Sequence, residues 1–534
     1  VAEQQEKLTE QLTKLKATMV KIARLGYRPA WQAQLFWRDG DQFYATRRGA
    51  DLLRLQKEDV LELTFAGEVL PGVRTGVAMV QKLEEAAAAR KAADREAAAA
   101  GADEAAGSDR EPAADLPPVK KDTSRPAPHW TDNELWKRVL KRRRDMAALI
   151  VAKPKYALTC LEQGREIPAV LEDMAQIIGE RVRVTDRYEE MIVSAFREDA
   201  GVLVRHKDPD DAVIAGFPGW AVTLGRDLYE AFVAMTILEK SAEVALKAER
   251  IGGGVAIPQL TVKAERLNYL YNYSQAERKI RKKLASPEAA AEPESGAPAA
   301  DSKATTSGAL AAGESAALAG GSDISAEPAT ADIPPVAIAG PAARERQARQ
   351  LLVTYGRKLL ELGLVQGTWG NLSVRLDDRF MLVTPSGRDY YGVHPEEMVK
   401  VRIENLSWEG DVKPSSEMGM HAGIYLTRPD VNAIIHTHAE NGSVFAAAQM
   451  PLEVTDEGLA KHTGSLIPVT KFAPAGTPEL VENAVVALQA HRACFLANHG
   501  MFSVGEDLKG ALLAAAAAEK AAALALKERE GEHV

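Results

Sequence analysis

Two stretches of the chain open on apolar residues at helical spacing. Leu8, Leu12, Leu15, Met19 and Ile22 recur every three or four positions, as do Leu351, Leu352, Tyr355, Leu359 and Leu362, so an amphipathic helix is expected at the head of each stretch. A short coiled coil also suits the first, although a core-facing domain helix suits it better. Short apolar runs follow the second helix and read as strands: Arg379 to Thr384, Ala433 to His438 and Cys494 to Ala497. An alanine-rich helix from Asp507 to near Glu530 comes last. No G-x-G-x-x-G opens a helix after a strand, so the pattern predicts an α/β sandwich and not a dinucleotide fold.

Two segments break the pattern. Residues 85–129 decay from helix-forming composition into Ala, Gly, Pro and charge, and residues 286–340 almost lack aromatic and large aliphatic side chains. Neither can bury enough apolar surface to offset the entropy of ordering. The first reads as a low-complexity insertion and the second as an Ala/Pro/Gly-rich linker.

What remains looks like one domain used twice. Gly225 to Lys247 lies over Gly505 to Lys527 without a gap, with 11 identities in 23 positions. Thr46 to Asp59 lies over Thr384 to Glu397, and Gly67 to Arg74 over Gly410 to Glu417, in the same order. The expected organisation is a first domain of residues 1–84 plus 130–285 and a second of residues 341–534.

Composition narrows the function. Of 534 residues, 46% are hydrophobic and 26% charged, with a formal net charge of -9, so no global positive field exists to hold nucleic acid or an anionic membrane. The basic run Lys137 to Asp145 reads as a solvated helix face. Cys160 and Cys494 are the only cysteines, which excludes a disulfide framework and a thiolate zinc site. Glu519 and Lys520 interrupt the most apolar long stretch, Gly510 to Leu526. With no signal peptide evident, a cytoplasmic protein acting on a small molecule is expected, with neither nucleic acid nor membrane as partner.

The ten histidines are lopsided, since eight of them follow residue 340. In A-I-I-H-T-H-A-E, His436 and His438 project from the same face of a strand. A third, His499, sits in an Asn-His-Gly turn after another apolar strand. Three neutral imidazoles with an open fourth position match a catalytic zinc site. The pair alone would also suit two surface histidines; the turn downstream favours metal. Small-residue turns G-T-W-G-N-L-S (from Gly367), T-P-S-G (Thr384 to Gly387) and P-S-S-E (Pro414 to Glu417) offer N–H groups and hydroxyls that could hold phosphate, although each alone reads as a plain turn. Glu417 suits a general acid/base beside a metal, or simply a helix start.

Taken together and in this order, G-T-x-G-N-x-S, T-P-S-G, S-S-E with His421 behind it, H-T-H and N-H-G resemble the class II aldolase/adducin family, typified by fuculose-1-phosphate aldolase and ribulose-5-phosphate 4-epimerase. The resemblance covers about residues 344–530. It implies two class II aldolase-like α/β/α sandwich domains, each with a central, mainly antiparallel sheet flanked by helices. It further implies Zn2+ or another divalent metal, one per chain, on His436, His438 and His499. Asn371, Ser386, Gly387, Ser415 and Ser416 would bind substrate phosphate, and Glu417 would be the acid/base acting through an enediolate. The implied reaction is aldol cleavage or formation of a phosphorylated hydroxyketone, with epimerisation, dehydration or decarboxylation on the same site as alternatives. The family also implies a homo-oligomer with sites at domain or subunit interfaces. An adducin-like scaffold is disfavoured by the complete triad.

Two tyrosines that protonate the departing aldehyde in the fuculose aldolase have no counterpart here: Pro451 to Pro468 carries Asp456, Glu457, Lys461 and His462 instead, and the tail lacks tyrosine. Tyr269, Tyr271 or Tyr273 is a candidate replacement, helix packing being the plainer reading. In the first copy, Val151 and Lys153 stand for His436 and His438, Gly72, Val73 and Arg74 for Ser415 to Glu417, Arg47 and Arg48 for Pro385 and Ser386, and Gln32 and Ala33 for Gly370 and Asn371. That copy is expected to be a metal-free pseudo-domain.

Overall fold

The structure, a computed structural model, describes residues 2–24, 33–46, 52, 56, 60–63, 132–206, 218–273 and 340–531. The insertion, the linker up to residue 339, and the substitutions at Arg47, Arg48 and Gly72 to Arg74 lie outside the described residues. The first domain contains β1 (Ala33–Asp39), β2 (Gln42–Thr46), β3 (Val60–Leu63), β4 (Ala148–Ala152), β5 (Ile167–Pro168), β6 (Arg181–Thr185), β7 (Gly201–Arg205) and β8 (Gly219–Gly225). The second contains β9 (Asn371–Arg375), β10 (Phe380–Val383), β11 (Val399–Arg402), β12 (Ala433–Thr437), β13 (Leu452–Glu453), β14 (Leu466–Ile467), β15 (Ala493–Phe495) and β16 (Met501–Gly505).

Their sheets share one topology. The first runs β3-β2-β1-β4-β8-β7-β6-β5 and the second β11-β10-β9-β12-β16-β15. The ladders are antiparallel except where β6 joins β7, and that parallel pairing has its counterpart in the bridge between Val469 and Phe495. Each domain is therefore an α/β sandwich built on a mainly antiparallel sheet. The central strand β12 is buried along its whole length, as expected of an apolar run covered on both faces.

Local devices repeat at matching positions. Ala148 pairs with Gly225 as Ala433 pairs with Gly505. The Leu35 amide donates to Thr46 Oγ1 at 3.0 Å, and the Leu372 amide to Thr384 Oγ1 at 3.2 Å. Asp227 and Asp507 each accept an N–H of the helix that follows, at 2.8 and 2.7 Å. A Cβ on Gly225 or Gly505 would lie 2.2 or 2.4 Å from the next helix's backbone, which accounts for glycine at both strand ends. Glu239 and Glu519, on the long helices Leu228–Ala248 and Leu508–Gly531, turn back to accept the first amides of the helices Lys155–Glu162 and Glu440–Ala448.

One expected correspondence shifts by a residue. The ladder sets Val151 opposite Gln34 and His436 opposite Asn371. Gln34, not Ala33, thus stands in place of Asn371, and Ala33 in place of Gly370. Side-chain identity alone does not fix register where both flanking segments are polar; the hydrogen-bond ladder does.

The domains share a core. Val170, Leu171, Val244, Ala248 and Ile251 join the second domain's apolar cluster, while Trp369 and Phe472 pack on the first domain's. The helix Glu440–Ala448 lies against both long helices. None of the described helices is long and apolar enough to cross a membrane.

Glu519 accepts from the Asn441 amide, the Asn441 side chain and the Gly442 amide, each at 2.8 Å. Glu519→Ala should reduce stability by about 2 kcal/mol, because bonds to a charged acceptor are lost. A thermal melt superimposable on that of the unsubstituted chain would contradict this role.

Candidate metal centre

Strand β12 delivers His436 into the interior, fully buried, with His438 just past the strand's end. His436 Nδ1 donates to the Met501 carbonyl at 3.0 Å, so its Nε2 carries the bare lone pair. The Phe502 ring stacks on the His436 imidazole with centroids 4.7 Å apart.

The third histidine arrives from the turn between β15 and β16. Asn498 adopts a left-handed backbone, φ 60°, and puts His499 beside the strand histidines. A Cβ on Gly500 would lie 2.4 Å from the Thr437 carbonyl oxygen and 3.1 Å from the His436 ring. Only glycine lets the turn pass so close. The three imidazole centroids are 4.7, 5.0 and 5.0 Å apart.

The polar atoms converge. His436 Nε2 lies 2.9 Å from His438 Nε2, and His499 Nε2 lies 2.9 Å from Glu417 Oε1. Glu417 Oε2 is 3.3 Å from His436 Nε2. Two imidazole lone pairs facing each other at that distance repel unless a proton or a cation lies between them. A divalent ion fits this donor set, since ligand atoms of His436, His438 and His499 lie within 4.8 Å of one another. Among the described residues this is the one such group, and the first domain's Val151 and Lys153 contribute none.

Glu417 ends a directional chain of hydrogen bonds. Its Oε2 accepts from Asn371 Nδ2 at 2.5 Å, and Asn371 Oδ1, an acceptor only, faces His421 Nε2 at 2.5 Å. His421 therefore donates through Nε2 and accepts at Nδ1 from Ser373, 2.6 Å away. Tyr425 lies behind, 2.8 Å from Ser373 Oγ, and supplies the proton to that oxygen. Burial pushes the His421 pKa down to about 3, which keeps the ring neutral, as the chain requires.

Electrostatics divide the other groups. Burial lowers the His436 pKa to about 4 against the pull of Glu417. His438 falls well below its ordinary value through burial and the charges of His436, His499 and Lys240. Burial opposes a charge on His499, yet Glu172 and Glu417 on either side outweigh it and raise the ring well above its ordinary value. Burial would likewise raise Glu417, but the surrounding imidazoles of His436, His499 and His438 outweigh it and hold the carboxyl well below the carboxylate range.

The serine turns lie side by side. Pro385 and Pro414 form a β-bridge, the Ser386 amide donates to the Lys413 carbonyl and the Ser415 amide to the Thr384 carbonyl, both at 3.0 Å. Gly387 has φ 68°; Ser415 is buried and its Oγ accepts from the Glu417 amide at 3.3 Å, while Ser416 is exposed. Glu417 immediately precedes the helix Met418–Thr427, so it combines a helix start with a place among the histidines.

The candidate tyrosines stand elsewhere. Tyr269 packs on the first domain's core and Tyr271 is exposed; the Tyr273 side chain lies outside the described residues. Asp456 caps the helix Glu457–Thr463 and is exposed.

Sequence reasoning missed the first domain's share of this site. Glu172 lies against His499 Nδ1, and Lys240 donates to the His438 carbonyl at 3.0 Å. Asn498 Nδ2 donates to the carbonyls of Val170 and Val255 at 2.9 and 2.6 Å, which ties the histidine turn to the other domain.

The family model for the class II aldolase and adducin N-terminal domain matches residues 14–246 and again 350–526. A 5-methylthioribulose-1-phosphate/5-deoxyribulose-1-phosphate aldolase of Rhodospirillum rubrum is 39% identical over 174 residues, 33% of this chain and 78% of the relative. An L-fuculose phosphate aldolase of Escherichia coli is 35% identical over 169 residues, 32% of this chain and 77% of the relative. A solved L-fuculose 1-phosphate aldolase aligns at 37% identity and TM-score 0.34, covering 35% of this chain and 89% of that one.

Elemental analysis of the full chain after equilibrium dialysis against Zn2+ should find one ion per chain, lost in His436→Ala. Zero or two ions would contradict the assignment of the donor set to the second domain alone.

Proposed function

The chain belongs to the class II aldolase and adducin family, and from that premise we propose that its second domain is a divalent-metal-dependent lyase acting on a phosphorylated hydroxyketone. The carrying observation is the convergence of three imidazoles and the Glu417 carboxylate on one buried point. His436, His438 and His499 would hold a divalent ion, with zinc the natural occupant, and that ion would supply Lewis acidity toward the hydroxyl and carbonyl oxygens of the substrate.

The chain's own residues do the rest. Glu417, kept ionised by its surroundings, takes a proton from the carbon beside the carbonyl in the bond-forming direction and returns it in the other. Asn371 fixes the carboxylate through one of its two Nδ2 hydrogens, and the neutral His421 fixes Asn371. Ser386, Gly387, Ser415 and Ser416, on their bridged turns, receive the phosphate together with Asn371. The named relatives act on 5-methylthioribulose 1-phosphate, 5-deoxyribulose 1-phosphate or fuculose phosphate, which supports a ketose phosphate as substrate.

Incubated with a panel of ketose phosphates, the metal-loaded chain should release two carbonyl fragments, one of them phosphorylated. Recovery of an epimer or a dehydrated product instead would contradict the lyase reading. Glu417→Gln should cut turnover by roughly 10²–10⁴-fold while retaining the metal, and Asn371→Ala should cut it less.

A further inference from the structure

We propose that Glu172, in the domain without a histidine cluster, is a positioning residue for the metal centre of the other domain. The inference rests on reading His436, His438 and His499 as metal ligands.

Glu172 follows β5 and opens the short helix Glu172–Ile177. It is only 5% exposed, and an ionised carboxylate so buried requires compensation. Its own domain sets Glu265 beside it, whose pKa burial and the like charge of Glu172 raise to about 7. Compensation comes from the second domain. The Ala475 amide donates to Oε1 at 2.8 Å, Oε2 lies against His499 Nδ1, and the Glu172 amide donates to the Asn498 carbonyl at 2.8 Å.

The consequence for His499 is geometric. With Nδ1 turned to Glu172, Nε2 faces Glu417 and the other two imidazoles. A carboxylate set against the outer nitrogen of an imidazole holds the ring with its inner nitrogen toward the site and makes that nitrogen a more basic ligand. His436 obtains the same orientation from a backbone carbonyl of its own domain. His499 obtains it from an anion across the domain boundary.

The neighbouring residue acts on the segment bearing His438. Asp173, 2% exposed, accepts from Lys240 Nζ at 2.8 Å, and that ammonium also donates to the His438 carbonyl at 3.0 Å. Asp173 Oδ2 stands 4.0 Å from His438 Nδ1. Glu172, Asp173 and Lys240 sum to one negative charge beside a site built for a dication. The first domain has thus become the outer wall of its twin's metal site.

The test uses the full chain with Glu172→Ala and the isosteric Glu172→Gln. Competition with a chromogenic chelator should show Zn2+ affinity reduced about 10–100-fold in Glu172→Ala and by less in Glu172→Gln, whose side-chain oxygen can still accept from Nδ1. Loaded with Co2+, both variants should show shifted visible absorption bands, a signature that loss of stability without a change at the ligands does not move. Wild-type affinity and an unchanged Co2+ spectrum in both variants would overturn the proposal alone. Absence of Zn2+ binding in the unsubstituted chain would overturn the reading beneath it as well. Metal binding without ketose phosphate cleavage would contradict the proposed reaction while leaving the effect of Glu172 on affinity standing.

Discussion

Three imidazoles and a carboxylate meet in a largely buried space, and their polar atoms cannot be left to face one another uncompensated. That constraint organises the second domain. The bare Nε2 of His436 is fixed by the carbonyl to which Nδ1 donates, Glu417 is fixed by Asn371, and the glycine at 500 lets the histidine turn approach the strand. Each of these devices costs something in isolation: a left-handed Asn498, a buried neutral His421, a carboxylate held at an interior point. They persist because the donor set they assemble favours a dication.

The first domain bears on the same constraint from outside. It repeats the sheet order, the Thr46 and Thr384 hydroxyl bonds, the aspartate caps and the glutamate clamps of its twin, yet carries Val151 and Lys153 where the twin has histidines. A buried apolar valine and a cation at those positions oppose a dication. Without the paired histidines, the copy keeps the sandwich and sets Glu172, Asp173 and Lys240 against the site next door. Apolar residues from both domains share one cluster, so the carboxylates are presented by a rigid wall instead of a mobile loop.

Much of this was legible in the chain before any fold was drawn. His436 and His438 declare themselves because ligands on one strand must alternate, and the Asn-His-Gly turn because a turn leaves a residue pattern. The duplication was legible in the glycine, aspartate and glutamate-lysine offsets, which serve a strand end, a helix cap and a clamp. Gln34 was misplaced by one residue because register belongs to the ladder. His421 sits one helical turn after Glu417, a spacing that puts both on one helix face, and that was the available signal for the relay. Glu172 had none: its contact with His499 exists only once the two domains have docked, and local pattern carries no trace of that event.

X-ray absorption at the zinc edge of the metal-loaded full chain measures the central claim directly. Nitrogen and oxygen neighbours at about 2.0–2.1 Å are expected, with the multiple-scattering pattern of three imidazoles and no sulfur. Fewer than three imidazoles, or a sulfur ligand, would contradict it.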